Sequence, residues 1–232
     1  AGWSRVPKLL RQSRRERGRS ESLDALVRFT AALYRAVAQI SGARVIVDSS
    51  KWPANPGPLG LVPGIRPYAV HLIRDPRAVA FSWQRQKLWS ASGEPMPKQN
   101  PIYSSFSWIA RNLLAERICA RLSSAALTLR YEDFVADPAD TLRRIGRLVD
   151  SEPARLPLRD ERTAILGQNH TLMGNPSRFA TGPVEIRSDD EWKLRLGRWD
   201  DLLITAVTMP LLLRYGYPIH SAAPSRPGEK TA

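Results

Sequence analysis

From Ser22 onward, Leu23, Leu26, Val27, Leu33, Tyr34, Val37 and Ile40 recur at helical spacing, and Gly42 marks where that helix stops. The period then changes. Three short apolar runs, ARVIVD at 43–48, YAVHLI at 68–73 and AALTLR at 125–130, have the branched, uncharged composition of buried strands. Between them the pattern returns to helix. Asp75 supplies a cap with Pro76 at the first helical position, predicting a helix to about Trp89, and residues 103–122 read as a second amphipathic one. Asp137-Pro138 opens a further helix. The stretch 188–217 is helical in two pieces, broken near Gly197 and kinked or ended near Pro210. DSSKWPANPGPLGLVPG, SASGEPMPKQNP and HTLMGNPSRFATGP carry too many Pro, Gly and Ser residues to be anything but loops. Strands alternating with helices predict an α/β fold, a parallel β-sheet flanked by helices.

Charge adds the next constraint. The 232 residues carry a formal net charge of +13, mostly from arginine, whose planar fork suits bidentate contacts to phosphate or sulfate. Nucleic acid, an anionic membrane face and a small polyanion are all compatible with that balance, as is a basic surface with no binding role. The basic, patternless residues 1–20 read as a separate N-terminal segment, 21–218 as the folded domain and 219–232 as a disordered tail. No run approaches the ~18 apolar residues of a membrane span, and the opening lacks the apolar core of a signal peptide. The lone Cys119 permits no intramolecular disulfide and reads as a small core filler. A cytoplasmic protein is the expectation. No metal-ligand cluster appears, so no metal is expected.

The chemistry gathers at strand ends. In open parallel sheets ligands sit beyond the carboxyl ends of strands, and both DSSK (48–51) and RDPR (74–77) lie at such ends. After the second run, Arg74 leaves the strand just where a helix begins at Asp75-Pro76. Exposed amides and the positive end of the helix dipole favour an anion there. Ser82 follows two turns later on one helical face. On spacing alone an ordinary capped helix with solvated arginines is equally open, and DSSK alone is compatible with a solvated turn.

RDPRAVAFS nevertheless resembles the 3′-phosphate-binding segment of the sulfotransferases that use 3′-phosphoadenosine 5′-phosphosulfate, and VIVDSSKWP resembles the loop beside the sulfonate in their bacterial branch. LRYEDFVADPADTLRRI is similar to the segment after the family's core strand, and HTLMGNPSRF with DDEWK to its C-terminal cofactor loop. The likeness spans roughly 43–217. It implies a P-loop-NTPase-like fold in which Arg74 and Ser82 hold the 3′-phosphate, with Arg178 and the backbone at Gly174 adding to that site. It also implies that Ser49 and Ser50 donate hydrogen bonds at the donor. Lys51, at the position of the family's base, is expected to act as an ammonium that stabilises charge on the sulfonate and the bridging oxygen.

His170 is a candidate base or a structural hydrogen-bonder, His71 a core or sheet-face residue. Trp89, Tyr103, Phe106 and Trp108 line an acceptor site or pack beneath a lid. The acceptor is a small molecule, glycan or lipid bearing a hydroxyl or amine, and no specific nucleic acid is expected. The family's first strand and its glycine-containing phosphosulfate loop have no counterpart here, so the chain reads as a sulfotransferase domain truncated at its N-terminus. Two competing classes remain. A non-catalytic basic protein binding nucleic acid or polyanions needs a basic stripe with stacking aromatics, whereas these arginines are spread along the chain. A P-loop kinase needs GxxxxGK[ST], and no Gly-Lys pair occurs.

Overall fold

A computed structural model describes residues 21–49, 59–85, 98–122, 124–168 and 179–220. The chain divides into two compact units. One comprises 1–71, 111–128 and 144–152; the other comprises 72–110, 129–143 and 153–232.

Helix α1 (Glu21–Ser41) forms where the helical period predicts it. Gly42 follows at φ +64, donating its N–H to the Ala38 carbonyl, the left-handed stop that a side chain would strain. Leu23, Val27 and Ala31 cluster with Val62 just after a short 3₁₀ turn (Leu59–Leu61), and Leu61 and Ile65 pack against them. That cluster is the core of the first unit.

The expected strand at 43–48 is not there. The segment is irregular and mostly exposed, with Val47 87% accessible. Branched residues favour a strand only when a neighbouring strand pairs with them, and no described strand pairs with this one. The Tyr34 hydroxyl of α1 donates to the Asp48 carboxylate and anchors the segment to that helix.

The other two runs do form strands. β1 (Tyr68–Ile73) and β2 (Ala125–Arg130) are neighbours in a two-stranded parallel sheet. Neither is buried on both faces. In β1, His71 and Ile73 point inward while Val70 and Leu72 stay exposed, and in β2 only Leu129 is buried.

The connection from β1 to β2 runs through α2 (Pro76–Gln84) and α3 (Pro101–Leu122). α2 ends at Gln84, short of the predicted Trp89. Beyond β2, α4 (Tyr131–Ala136) and α5 (Pro138–Leu148) are separated at Asp137, whose carboxylate accepts the Asp140 amide at 2.9 Å and caps α5 as expected.

A hairpin-like pair then appears that the polar pattern did not reveal. β3 (Thr163–Leu166) runs antiparallel to β4 (Gly182–Glu185), Thr163 opposite Glu185 and Leu166 opposite Gly182. The chain finishes in α6 (Glu191–Arg195) and α7 (Arg198–Arg214), broken at Gly197 as expected. Pro210 does not end α7, which continues to Arg214 with Leu211 and Leu212 buried. In the second unit Ala78 and Phe81 of α2 cluster with Trp192 of α6, and Leu196 packs against them.

A candidate anion site where strand β1 meets helix α2

Local chemistry builds this junction tightly. Asp75 caps α2: its carboxylate accepts the Arg77 amide at 2.8 Å, and Pro76 occupies the first helical position, where no N–H is needed. The same carboxylate takes Nε of Arg77 at 3.0 Å and Nη2 at 2.7 Å. Arg77 is fully buried, its guanidinium 5.1 Å from the centre of the Trp192 ring. Its remaining donors reach the carbonyls of Pro218 at 2.9 Å and Ile219 at 3.1 Å, so one arginine ties the helix start to the C-terminal segment.

Glu132 does the complementary work. One oxygen accepts the Asp75 amide at 3.1 Å, and the other accepts the Tyr217 hydroxyl at 2.7 Å. Burial raises the pKa of that phenol, and the Glu132 charge raises it further, so it stays protonated as the donor. Arg130 donates to Asp133 at 3.0 and 2.5 Å and to the Gly216 carbonyl at 2.7 Å. Glu132 and Asp133 thus hold this junction together. The amides of Asp75 and Arg77 are already committed to carboxylates. Those two amides are therefore not open to an anion, and side chains are the other source of anion affinity here.

Arg74 is the side chain in position to supply it. Its carbonyl accepts Nε1–H of the buried Trp108 at 3.0 Å, which fixes the end of β1. Trp108 also meets Tyr215 edge to face at 5.8 Å, so it packs beside the end of β1. The Arg74 guanidinium lies 4.7 Å from the centre of the Tyr131 ring, and its Nη2 pairs with Asp189 at 2.9 Å. Its Nε is buried with no hydrogen-bond partner among the described residues. Such an orphaned charged donor is costly unless an acceptor meets it.

Asp189 also receives Arg85 at 3.3 Å, and Arg85 in turn pairs with Glu191 at 2.6 Å. Burial alone would raise the Asp189 carboxyl, but the hydrogen bond and charge of Arg74, helped by Arg85, outweigh it and hold the group below the usual carboxylate range. In this state a carboxylate sits where an arginine-bound anion would bring its own oxygens. An incoming phosphate must share Arg74 with Asp189 or displace it.

Ser82 lies half-buried on α2, within the same unit as Arg74. Ser49 ends the exposed segment 43–49 in the other unit. Ser50, Lys51, Gly174, Arg178 and His170 fall outside the described residues, as does Trp89. Tyr103 and Phe106 are exposed on α3. His71 proves to be a core residue: its Nε2 is 2.9 Å from Oδ1 of Asn112, and burial holds its pKa below the usual value. Sequence reasoning missed Arg77 and Asp189, although both lie inside quoted motifs, the first in RDPR and the second in DDEWK. Among the described residues no helix is long and apolar enough to cross a membrane, and no cluster of His, Cys, Asp and Glu is arranged to hold a metal.

Comparison with known proteins gives this geometry its context. A search of curated proteins found no match. Among solved structures, the sulfotransferase domain from the curacin biosynthetic pathway is similar in fold, with a TM-score of 0.55 and 17% identity over 81% of this chain and 68% of that one. The profile of the Sulfotransferase family matches residues 4–152, well over half of the sequence. The chain belongs to the sulfotransferase family.

Proposed function

We propose that this protein transfers a sulfonate group from 3′-phosphoadenosine 5′-phosphosulfate to a hydroxyl or amine of a small molecule, glycan or lipid. One observation carries the reading. Arg74, in a chain of this family, ends β1 with a buried Nε that lacks a partner, directly before the helix that bears Ser82. A phosphate dianion supplies the acceptors such a fork is shaped for. In this reading Arg74 and Ser82 hold the 3′-phosphate, with Arg178 and the backbone at Gly174 closing the same end. Ser49, Ser50 and Lys51 serve the sulfonate end.

The acceptor oxygen or nitrogen attacks sulfur in line. The bond from sulfur to the 5′-phosphate oxygen breaks as the new bond forms, and the bisphosphate departs with the electron pair. The acceptor's proton leaves to a base or to water. Lys51, as an ammonium, stabilises charge on the bridging oxygen, so catalysis is mainly positioning and electrostatics, as in phosphoryl transfer. A basic protein for nucleic acid or polyanions is less well supported, because Arg74, Arg77, Arg85 and Arg130 are engaged by carboxylates of the chain itself.

Titration with adenosine 3′,5′-bisphosphate, followed by calorimetry, tests the reading. Saturable binding is expected. Arg74→Ala weakens it by about 10- to 100-fold and Ser82→Ala by about 3- to 10-fold, the span of charged and neutral hydrogen bonds. No saturable binding at low salt, on this chain and on one extended upstream, would overturn it.

A further inference from the structure

Helix α7 is apolar on both of its faces. Ile204, Thr205, Thr208, Leu211 and Leu212 are buried within its own unit. On the outside, Trp199 is 84% exposed, Leu202 61%, Met209 42% and Leu213 56%, with the exposed Ala206 between them. These positions are spaced 3, 4, 3 and 4 residues apart, the repeat that brings side chains onto one seam of a helix. Leu202 to Leu213 contains no charged residue at all. A helix that is apolar all round belongs in an interior, so the outer seam calls for a cover.

We propose that the cover is a second copy of this chain, which pairs through α7 across a two-fold axis with the two helices antiparallel. Three features select this occupant. The seam is nearly symmetric in size about Ala206, with Trp199 and Leu202 on one side and Met209 and Leu213 on the other. Two antiparallel copies therefore set large residues against large ones and the two Ala206 residues against each other, where small side chains let the backbones approach. A patch that complements itself in this way is what a two-fold contact requires.

The same orientation opposes the two helix dipoles, so the N-terminus of each α7 lies beside the C-terminus of the other. The area is sufficient: the exposed side chains offer roughly 500 Å² per copy, about 1,000 Å² for the pair, where specific interfaces begin. Trp199, large and almost fully exposed in the single chain, has the character of an energetic anchor.

An anionic membrane fits the seam less well. Helices that lie on lipid combine a broad apolar face with basic residues along the polar one. Here the seam is narrow, and the cations of α7 lie only at its ends, at Arg198 and Arg214.

Sedimentation of the full chain from about 1 to about 100 μM tests the pairing, because a dimer's population rises with concentration. The expected mass is twice the 26.0 kDa of the chain. Leu202→Glu and Met209→Glu should each return it to a monomer with unchanged circular dichroism, since both residues are exposed and little internal packing is lost. In a Cys119→Ala background, Ala206→Cys should form a disulfide-linked dimer on mild oxidation, because the pairing sets the two Ala206 residues against each other. The pairing is overturned by a chain that stays monomeric over that range, by a dimer that survives both glutamate variants, or by a failure to cross-link. Co-sedimentation of a monomer with phosphatidylcholine–phosphatidylserine vesicles, abolished by Leu202→Glu, would assign the seam to a membrane instead.

Discussion

Two arginines in RDPR behave as opposites, although they lie three residues apart. Arg74 keeps a donor unmatched at the strand end, while Arg77 is saturated by Asp75 and by the carbonyls of Pro218 and Ile219. The motif was legible as a place where charge matters. Which arginine serves a ligand was not, because the partners of Arg77 lie more than 140 residues away along the chain. Resemblance assigned Arg74 without needing that information. Replacing Arg77 by methionine preserves volume and stem packing but leaves Asp75 buried without its partner. The loss of stability should be about 3–5 kcal/mol, the range for breaking one side of a buried pair, measured by urea unfolding. An effect below about 1 kcal/mol would mean that Asp75 finds other partners on relaxation.

Elements were read best where one period ran long. The helical runs of α1, α3 and α7 were legible from spacing, and the breaks at Gly42, Asp137 and Gly197 from residue chemistry. Strands were harder, since a branched run declares a preference and its neighbours decide the outcome. The same composition made β1 and β2 but left 43–48 irregular, and the β3–β4 pair, assembled from unremarkable residues, gave no alternating signal.

One strand carries a pH dependence. His71 of β1 is buried against Asn112 of α3, and Glu116 is the nearby charge that favours protonation, yet burial prevails and the folded pKa is lowered. The unfolded chain therefore takes up a proton near pH 6.5 that the folded chain refuses until a lower pH. The contribution of His71 is constant above that value, and stability falls as pH drops between the unfolded and the folded pKa. His71→Gln keeps a polar amide but cannot protonate. It should flatten the fall in melting temperature between about pH 6.5 and 5; an unchanged slope would assign the effect elsewhere.

At the scale of the molecule, the fold class and the family were both accessible from the chain's own motifs, because α/β alternation and strand-end chemistry are local patterns. The charge balance was less informative. The +13 excess suggested a basic surface, but several of its arginines are tied into internal carboxylate networks, and only three-dimensional placement separates those from cations a ligand can reach. Glu132 extends this interdependence across the second unit. Because its two oxygens hold the Asp75 amide and the Tyr217 hydroxyl at once, the C-terminal segment and the start of α2 are coupled through one carboxylate. The Asp75 amide then becomes a clock for the far end of the chain. Its deuterium uptake should quicken by about fivefold in Tyr217→Phe, where one hydrogen bond of about 1 kcal/mol is lost, while amides in the middle of α1 keep their rate.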